Sequence, residues 1–255
     1  MHPSNLTDME ILGIDIGGSG IKAAPVDVET GELKDDRHRI PTPQPATPSG
    51  VARAVAEIID QFGRPGPVGC GFPGVIRDGV VHFAPNLGHA WIGVDALSLL
   101  EEATGRSLAI LNDADAAGLA EMRWGSGHGH DGLVLLLTFG SGIGSALFFR
   151  GVLIPNTELG HLELHGMEAE HYASADVRNR EDLNFEDWGD RVDEYLSHLD
   201  GVLSPELFIV GGGISRRFDQ FSGRIKVQTP VVAARLRNDA GLAGAALWAS
   251  QLTAF

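Results

Sequence analysis

The sequence predicts an α/β protein built from two copies of one unit, and three observations predict it. Apolar segments with the continuity of buried strands alternate with segments carrying a helical apolar stripe along the 255 residues. The heptapeptide GSGIKAA at 18–24 returns as GSGIGSA at 140–146, so Gly18 and Gly140 stand 122 residues apart, close to half the chain. Each copy follows an apolar strand and leads into a hairpin, which argues for duplication over a chance match of two glycine turns. Finally, three Gly-rich turns each follow an apolar strand. Two facing copies of one α/β unit are expected to leave a cleft, a common place for a ligand.

The elements follow in order. A buried strand is expected over 10–16, then a Gly-rich turn and a hairpin partner over 20–28, where Pro25 and β-branched residues oppose a helix. Thr30-Gly31 supplies the next turn and 32–40 a third strand. PTPQPATPSG at 41–50 is a Pro-rich loop leading into a helix over 51–62. Short strands are expected over 67–71 and 79–83, a helix over 94–104, a buried strand over 108–111 and an Ala-rich helix over 113–124. The pattern then restarts with GLVLLLT at 132–138, a Gly-rich turn, and strands over 144–149 and 152–154 around Arg150-Gly151. An Ala/Gly-rich helix over 239–254 closes the chain.

The hydrophobic share of 43% and charged share of 21% suit a soluble globular protein. No apolar run approaches the length of a membrane span, and MHPSNLTDME lacks the basic cap and apolar core of a signal peptide. One cysteine, Cys70, excludes an intrachain disulfide and points to the cytoplasm. The net charge of −15 argues against nucleic-acid binding. Yet Arg216, Arg217, Arg224, Lys226, Arg235 and Arg237 fall within 22 residues opposed only by Asp219. That stretch reads either as a solvated basic face or as a place to hold a polyanion.

Glycine-rich turns after strands can aim backbone N–H groups at phosphate oxygens. The three here are DIGGSG (15–20), TFGSGIG (138–144) and VGGGIS (210–215). The P-loop spacing is absent. Residues 18–23 fit G-x-G-x-x-A, but that fingerprint must open a helix, and Pro25 with Thr30-Gly31 makes it open a hairpin. Asp15, at the strand end beside the first turn, suits Mg²⁺ held through water or a hydrogen bond to the turn itself.

Phosphoryl transfer to an alcohol needs a group that positions the hydroxyl and takes its proton. LAILNDADAAG offers Asn112, Asp113 and Asp115 where a strand meets a helix. Asp113 fits that role, and it equally fits an N-cap; Asp115 fits the dipole of the first turn. PNTELGHLELHG adds Glu158, His161, Glu163 and His165, side chains able to bond sugar hydroxyls. Were 161–165 a strand, His161, Glu163 and His165 would share one face. With no cysteine nearby and no H-E-x-x-H order, a metal there is disfavoured.

In series, these segments resemble the ROK family of sugar kinases and repressors, within the actin-like ATPase superfamily. LGIDIGGSGIKAAPVD resembles the first phosphate motif, FPG (72–74) the substrate-side loop, and LNDADAAGLAE the catalytic segment. TFGSGIGSAL resembles the second phosphate motif, and ELGH (158–161), AEHYAS (169–174) and IVGGGIS complete the order. The resemblance implies an actin-like, ribonuclease H-like fold of two lobes around a central cleft. The lobes are expected at 1–111 and 112–238, the helix over 239–255 returning to the first, and their closure would exclude water.

It implies Asp113 as general base, and Asn112, Glu158, His161, Glu170, Gly74 and Asn86 on the sugar. Asp15, Gly17, Gly18, Ser19, Gly20, Lys22, Thr138, Gly140, Ser141, Gly142, Gly211 and Gly212 would serve the phosphates. Typical members carry a Cys-rich zinc motif after the ELGH histidine; HLELHGMEAE is shorter and lacks cysteine, so no zinc is expected. That shortened form, with PNLGHAW (85–91) and VVAARLRNDAGLAGAA (231–246), is similar to the family's polyphosphate-using glucokinases. The resemblance implies glucose, with mannose as a second acceptor; polyphosphate or ATP as donor; Mg²⁺; and a homodimer. A strictly ATP-dependent glucokinase is the alternative. A repressor would need a helix-turn-helix ahead of the first strand, where only nine residues stand. A filament-forming actin relative would leave Asp113 and ELGH without a task.

Overall fold

The computed structural model describes residues 10–63 and 65–252. The amino-terminal stretch 1–9, read above as no signal peptide, and residues 253–255, where the closing helix is expected to continue, lie outside the described residues. Two compact units emerge. The first takes the chain to Ala120 and again from Asp239; the second is Glu121–Asn238.

In the first unit β1 (Glu10–Ile16), β2 (Gly20–Asp27) and β3 (His38–Pro41) form an antiparallel meander. Thr47 caps α1 (Pro48–Asp60), accepting from the Gly50 amide, with Pro48 pre-set for the first turn. α1 crosses over to β4 (Val68–Phe72), which pairs parallel with β1. A two-stranded ribbon of β5 (Val75–Arg77) and β6 (Val80–Phe83) follows. α2 (Ala96–Thr104), capped by Asp95 and ended by Gly105 at φ 63°, leads to β7 (Leu108–Asn112) and α3 (Asp113–Trp124). The sheet order is β3-β2-β1-β4-β7.

The third strand starts later than the sequence suggests. Lys34, Asp35, Asp36 and Arg37 are exposed, so this charged run has no apolar face to bury, and Leu33 makes only an isolated bridge to Val26. The core is built from Ile14, Ile16, Ile21, Val55 and Ile58, with Phe72 and Trp91 edge to face at 5.0 Å.

The second unit repeats the theme. β8 (Leu133–Phe139), β9 (Ile143–Phe149) and β10 (Val152–Ile154) form a meander. β1 and β2 close on the pair Ile16–Ile21, β8 and β9 on Phe139–Ile143, so the second turn is one residue tighter. A small hairpin of β11 (Glu163–Leu164) and β12 (Met167–Glu168) precedes α4 (Glu170–Ala173) and α5 (Ala175–Arg180). α6 (Phe185–Leu203) has no counterpart among the expected elements; it buries Trp188, Val192, Tyr195, Leu196 and Leu199 along one face. β13 (Leu207–Gly211) and β14 (Val231–Ala233) complete a sheet ordered β10-β9-β8-β13-β14.

α7 (Ala240–Leu252) packs across β1, β4 and β7 of the first unit. Glycines let it approach. A Cβ at Gly13 or Gly69 would run into the backbone carbonyls of Leu242 or Ala245, and one at Gly244 into that of Ala116. No helix among the described residues is long and apolar enough to cross a membrane.

Candidate active site

In the first unit the first Gly-rich turn is closed by the Gly17 amide donating to Gly20 O at 3.0 Å. Asp15 is the penultimate residue of β1, and Lys22 Nζ lies 2.7 Å from Asp15 Oδ2. Lys22, expected on phosphate, is therefore already paired with the carboxylate expected to hold magnesium. A Cβ at Gly18 would touch the backbone carbonyl of Asn86, which places Asn86 against this turn.

The two readings of Asp113 separate at the start of α3. Asn112, not Asp113, caps the helix: its Oδ1 accepts from the amides of Ala114 at 2.8 Å and Asp115 at 3.0 Å. Its Nδ2 donates to Gly74 O at 3.1 Å, tying the FPG loop to the helix start. Asn112 is 5% exposed and its amide is committed to these bonds. Asp113 occupies the first helical position, half-buried, with Oδ1 2.8 Å from the Ala114 amide.

The second unit gathers two of the expected phosphate turns. The Gly140 amide donates to Gly142 O at 2.9 Å and Gly140 O accepts from Asp176 N at 3.0 Å, fixing the turn to α5. Thr138 pairs with Gly144 on one side and Gly211 on the other. Gly212, at φ 77°, lies so close to Phe139 that a Cβ would meet its backbone. Between the turns opens a cavity of about 400 Å³, lined among others by Gly140, Ser141, Asp176, Asn179, Gly213 and Arg217. Arg178 lies 3.9 Å over the Phe185 ring and Arg217 5.9 Å from the same ring. Not all the basic stretch is available: Arg224 is held by Asp190 through Nε at 2.9 Å and a second guanidinium bond.

The expected sugar-side groups cluster in the same unit. Glu158 Oε2 is 3.7 Å from His161 Nε2, and His161 Nδ1 is 3.1 Å from Glu168 Oε2. Glu170 Oε2 accepts from the Ile143 amide at 3.2 Å, so this carboxylate joins the expected sugar-side cluster to the second Gly-rich turn. His161, Glu163 and His165 do not share a strand face. His161 ends a short 3₁₀ turn, only Glu163 and Leu164 are strand, and His165 sits at φ 56° in the hairpin bend, 3.1 Å from Glu194. Donor atoms of His161, Glu168 and Glu170 lie within 4.8 Å of one another, an arrangement a cation could use.

The ROK family model matches residues 11–176. This chain belongs to the ROK family. It is 49% identical to polyphosphate glucokinase of Mycobacterium tuberculosis over 96% of this chain and 93% of that one. It is also 49% identical to the inorganic polyphosphate/ATP-glucomannokinase of Arthrobacter sp. strain KM, whose crystal structure superposes with a TM-score of 0.92 over 95% of this chain and 99% of that one. A ROK glucokinase from Streptomyces griseus, solved with glucose and AMPPNP, superposes with a TM-score of 0.81 at 26% identity over 95% of this chain and 99% of that one. The fold is that of the actin-like sugar kinases.

The structure of this ROK protein also reveals supporting groups that the motifs did not flag. Ser145, 1% exposed in β9, donates to Thr157 O at 2.6 Å and accepts from the Leu159 amide at 3.0 Å, bracketing Glu158. A serine inside an otherwise apolar strand was the available signal. Glu121 is fully buried and accepts from the amides of Ser126, Arg235 and Leu236 at 2.7–3.1 Å.

Burial pushes the Glu158 carboxyl above its ordinary value of 4.5; His161 pulls it back and Glu170 pushes it further up. A carboxyl raised on folding is penalised when charged. The stability it contributes is complete below its ordinary value and is lost as pH rises through the raised one. Glu158→Gln should therefore raise Tm at about pH 8, with the gain vanishing towards about pH 4. Thermal melts at both pH values check this; an equal Tm change at both contradicts it.

Proposed function

We propose that this chain is a hexose kinase that transfers the terminal phosphoryl group of inorganic polyphosphate, or of ATP, to the 6-hydroxyl of glucose, with mannose as a second acceptor. What carries the reading is the second unit: a cavity walled by two Gly-rich turns and Arg217, coupled through Glu170 to the Glu158–His161 pair.

The hydroxyl oxygen attacks phosphorus, the bond to the bridging oxygen breaks, and the hydroxyl proton passes to Asp113. Charge builds on the leaving phosphate. Turn amides and arginines stabilise that charge because they are fixed before the reaction begins. Glu158, His161 and Glu170 offer the acceptors and donors that distinguish sugar hydroxyls. Asn112 acts by fixing the start of α3 and the Gly74 loop. Magnesium would offset phosphate charge. Asp15 fits as its contact through water, since a single carboxylate partly satisfied by Lys22 suits an ion that keeps most of its own waters. The same reading includes a cytoplasmic location and a homodimer.

A polyphosphate chain runs beyond the length of a nucleotide's triphosphate, and cations along its path offset its repulsion. Arg217 at the cavity is the residue best placed to do so, with Arg216 beside it in sequence. The test is glucose 6-phosphate formation with nucleotide-free polyphosphate and, separately, with ATP. Product from ATP alone would identify a strictly ATP-dependent glucokinase; product from neither would end the reading. Replacing Arg216 and Arg217 with alanine together should lower kcat/KM for polyphosphate by about tenfold, the scale of a lost charge-assisted contact, and lower it less for ATP. An equal loss on both donors would remove the arginines from donor choice.

A further inference from the structure

A phosphate-binding turn faces a problem that its glycines do not solve. Each peptide carries a carbonyl as well as an amide, and a carbonyl swung towards phosphate repels it. In the first turn four consecutive carbonyls already have donors. Gly17 O accepts from Thr42 Oγ1 at 2.5 Å, and Gly18 O from Gln44 Nε2 at 3.2 Å. Ser19 O accepts from an Arg39 guanidinium nitrogen at 3.0 Å, with the Thr42 amide at 3.5 Å, and Gly20 O takes the Gly17 amide. Among the described residues no acceptor reaches the amides of Gly18 and Ser19. The turn is thus one-sided, carbonyls bound and two amides open.

The donors come from the end of β3 and the Pro-rich loop 41–50, to which the motif reading assigned no task. That loop is itself anchored. Trp91 Nε1, in the core, donates to Ala46 O at 2.7 Å, and Thr47 caps α1. Thr42 is 4% exposed, and its hydroxyl supplies the donor that the half-buried Gly17 O would otherwise lack within the protein.

We infer that Thr42, assisted by Gln44 and Arg39, is a positioning residue for the phosphoryl donor: it holds the Gly17–Gly20 carbonyls away so that the Gly18 and Ser19 amides face an anion. The inference rests on the reading of this turn as a donor site. Losing the Thr42 hydroxyl leaves a half-buried carbonyl unsatisfied and frees its peptide to rotate, which disorders the amide face without touching the sugar groups.

The test is calorimetric titration of the full-length protein with inorganic tripolyphosphate and magnesium, together with steady-state kinetics. Thr42→Val, which keeps shape and loses the hydroxyl, should weaken tripolyphosphate binding about tenfold, the scale of one buried hydrogen bond with its unsatisfied partner. KM for polyphosphate and for ATP should rise together while KM for glucose holds. Thr42→Ser, which restores the hydroxyl, should recover binding to within about threefold. Unchanged binding in Thr42→Val, or a serine variant as weak as the valine one, overturns the inference. So does an equal rise in KM for glucose. Should Thr42→Val fold poorly, exposed Gln44→Ala reports on the same brace and should raise donor KM alone. If the parent protein turns over glucose yet binds no tripolyphosphate, the donor reading of this turn falls, and the inference falls with it.

Discussion

Asp113→Asn should lower kcat for glucose phosphorylation by at least about 100-fold, the scale of a lost general base, with Tm unchanged. The prediction is sharp because the competing role has another occupant. An N-cap is recognised by a side-chain oxygen accepting from the second or third helical amide, and Asn112 makes both such bonds at the start of α3. Asp113 is therefore one step inside the helix, where the macrodipole favours negative charge. Asparagine preserves its size and can still accept from the Ala114 amide, so the substitution removes basicity while keeping that bond. Were Asp113 holding the helix instead, kcat would persist in Asp113→Asn, since asparagine caps as well as aspartate, and Asp113→Ala would lower Tm by the equivalent of about 1 kcal/mol. Single-turnover kinetics beside a thermal melt distinguishes the two. Asn112→Ala should show the opposite pattern, chiefly a loss of Tm, since it releases both the helix start and Gly74.

That partition was not available from the sequence, where Asn112-Asp113 offers two capping residues in succession. Which one caps depends on where β7 ends, a boundary set by the β4–β7 ladder reaching Asn112. The duplicated hairpins were legible because apolar strands and glycine turns are local signals, and β1–β2 and β8–β9 depend on little else. The strand expected over 32–40 was overextended for the complementary reason. Residues 34–37 can be extended in isolation, but with no apolar face they gain nothing from joining the sheet. α6 is legible in the sequence: Asn184 as cap, then Trp188, Val192, Tyr195 and Leu199 at three- and four-residue spacing, is a helical stripe. Glu168 carried no local signal; only the β11–β12 hairpin brings it to His161. The split of the basic stretch was hidden likewise, because Asp190, which holds Arg224, lies 34 residues away in sequence.

Gly142→Ala is expected to lower kcat/KM by about 30- to 100-fold, by displacing a carboxylate rather than by straining the backbone. Gly142 does not lie in the left-handed region, so its φ is open to alanine. The obstacle is Glu170, whose Oε2 occupies the space a Cβ would enter while it accepts from the Ile143 amide. The added methyl must push that carboxylate off the turn, and one displacement then reaches both proposed substrate sites. The second Gly-rich turn loses an anchor, and the proposed sugar site loses the placement of one acceptor. A double-mutant cycle isolates the route. Glu170→Ala alone should also be severely impaired, and adding Gly142→Ala to it should change kcat/KM by less than about twofold, because the methyl now enters empty space. Full additivity of the two losses would mean that alanine harms the turn directly. It would also mean that Glu170 and Gly142 act on separate steps.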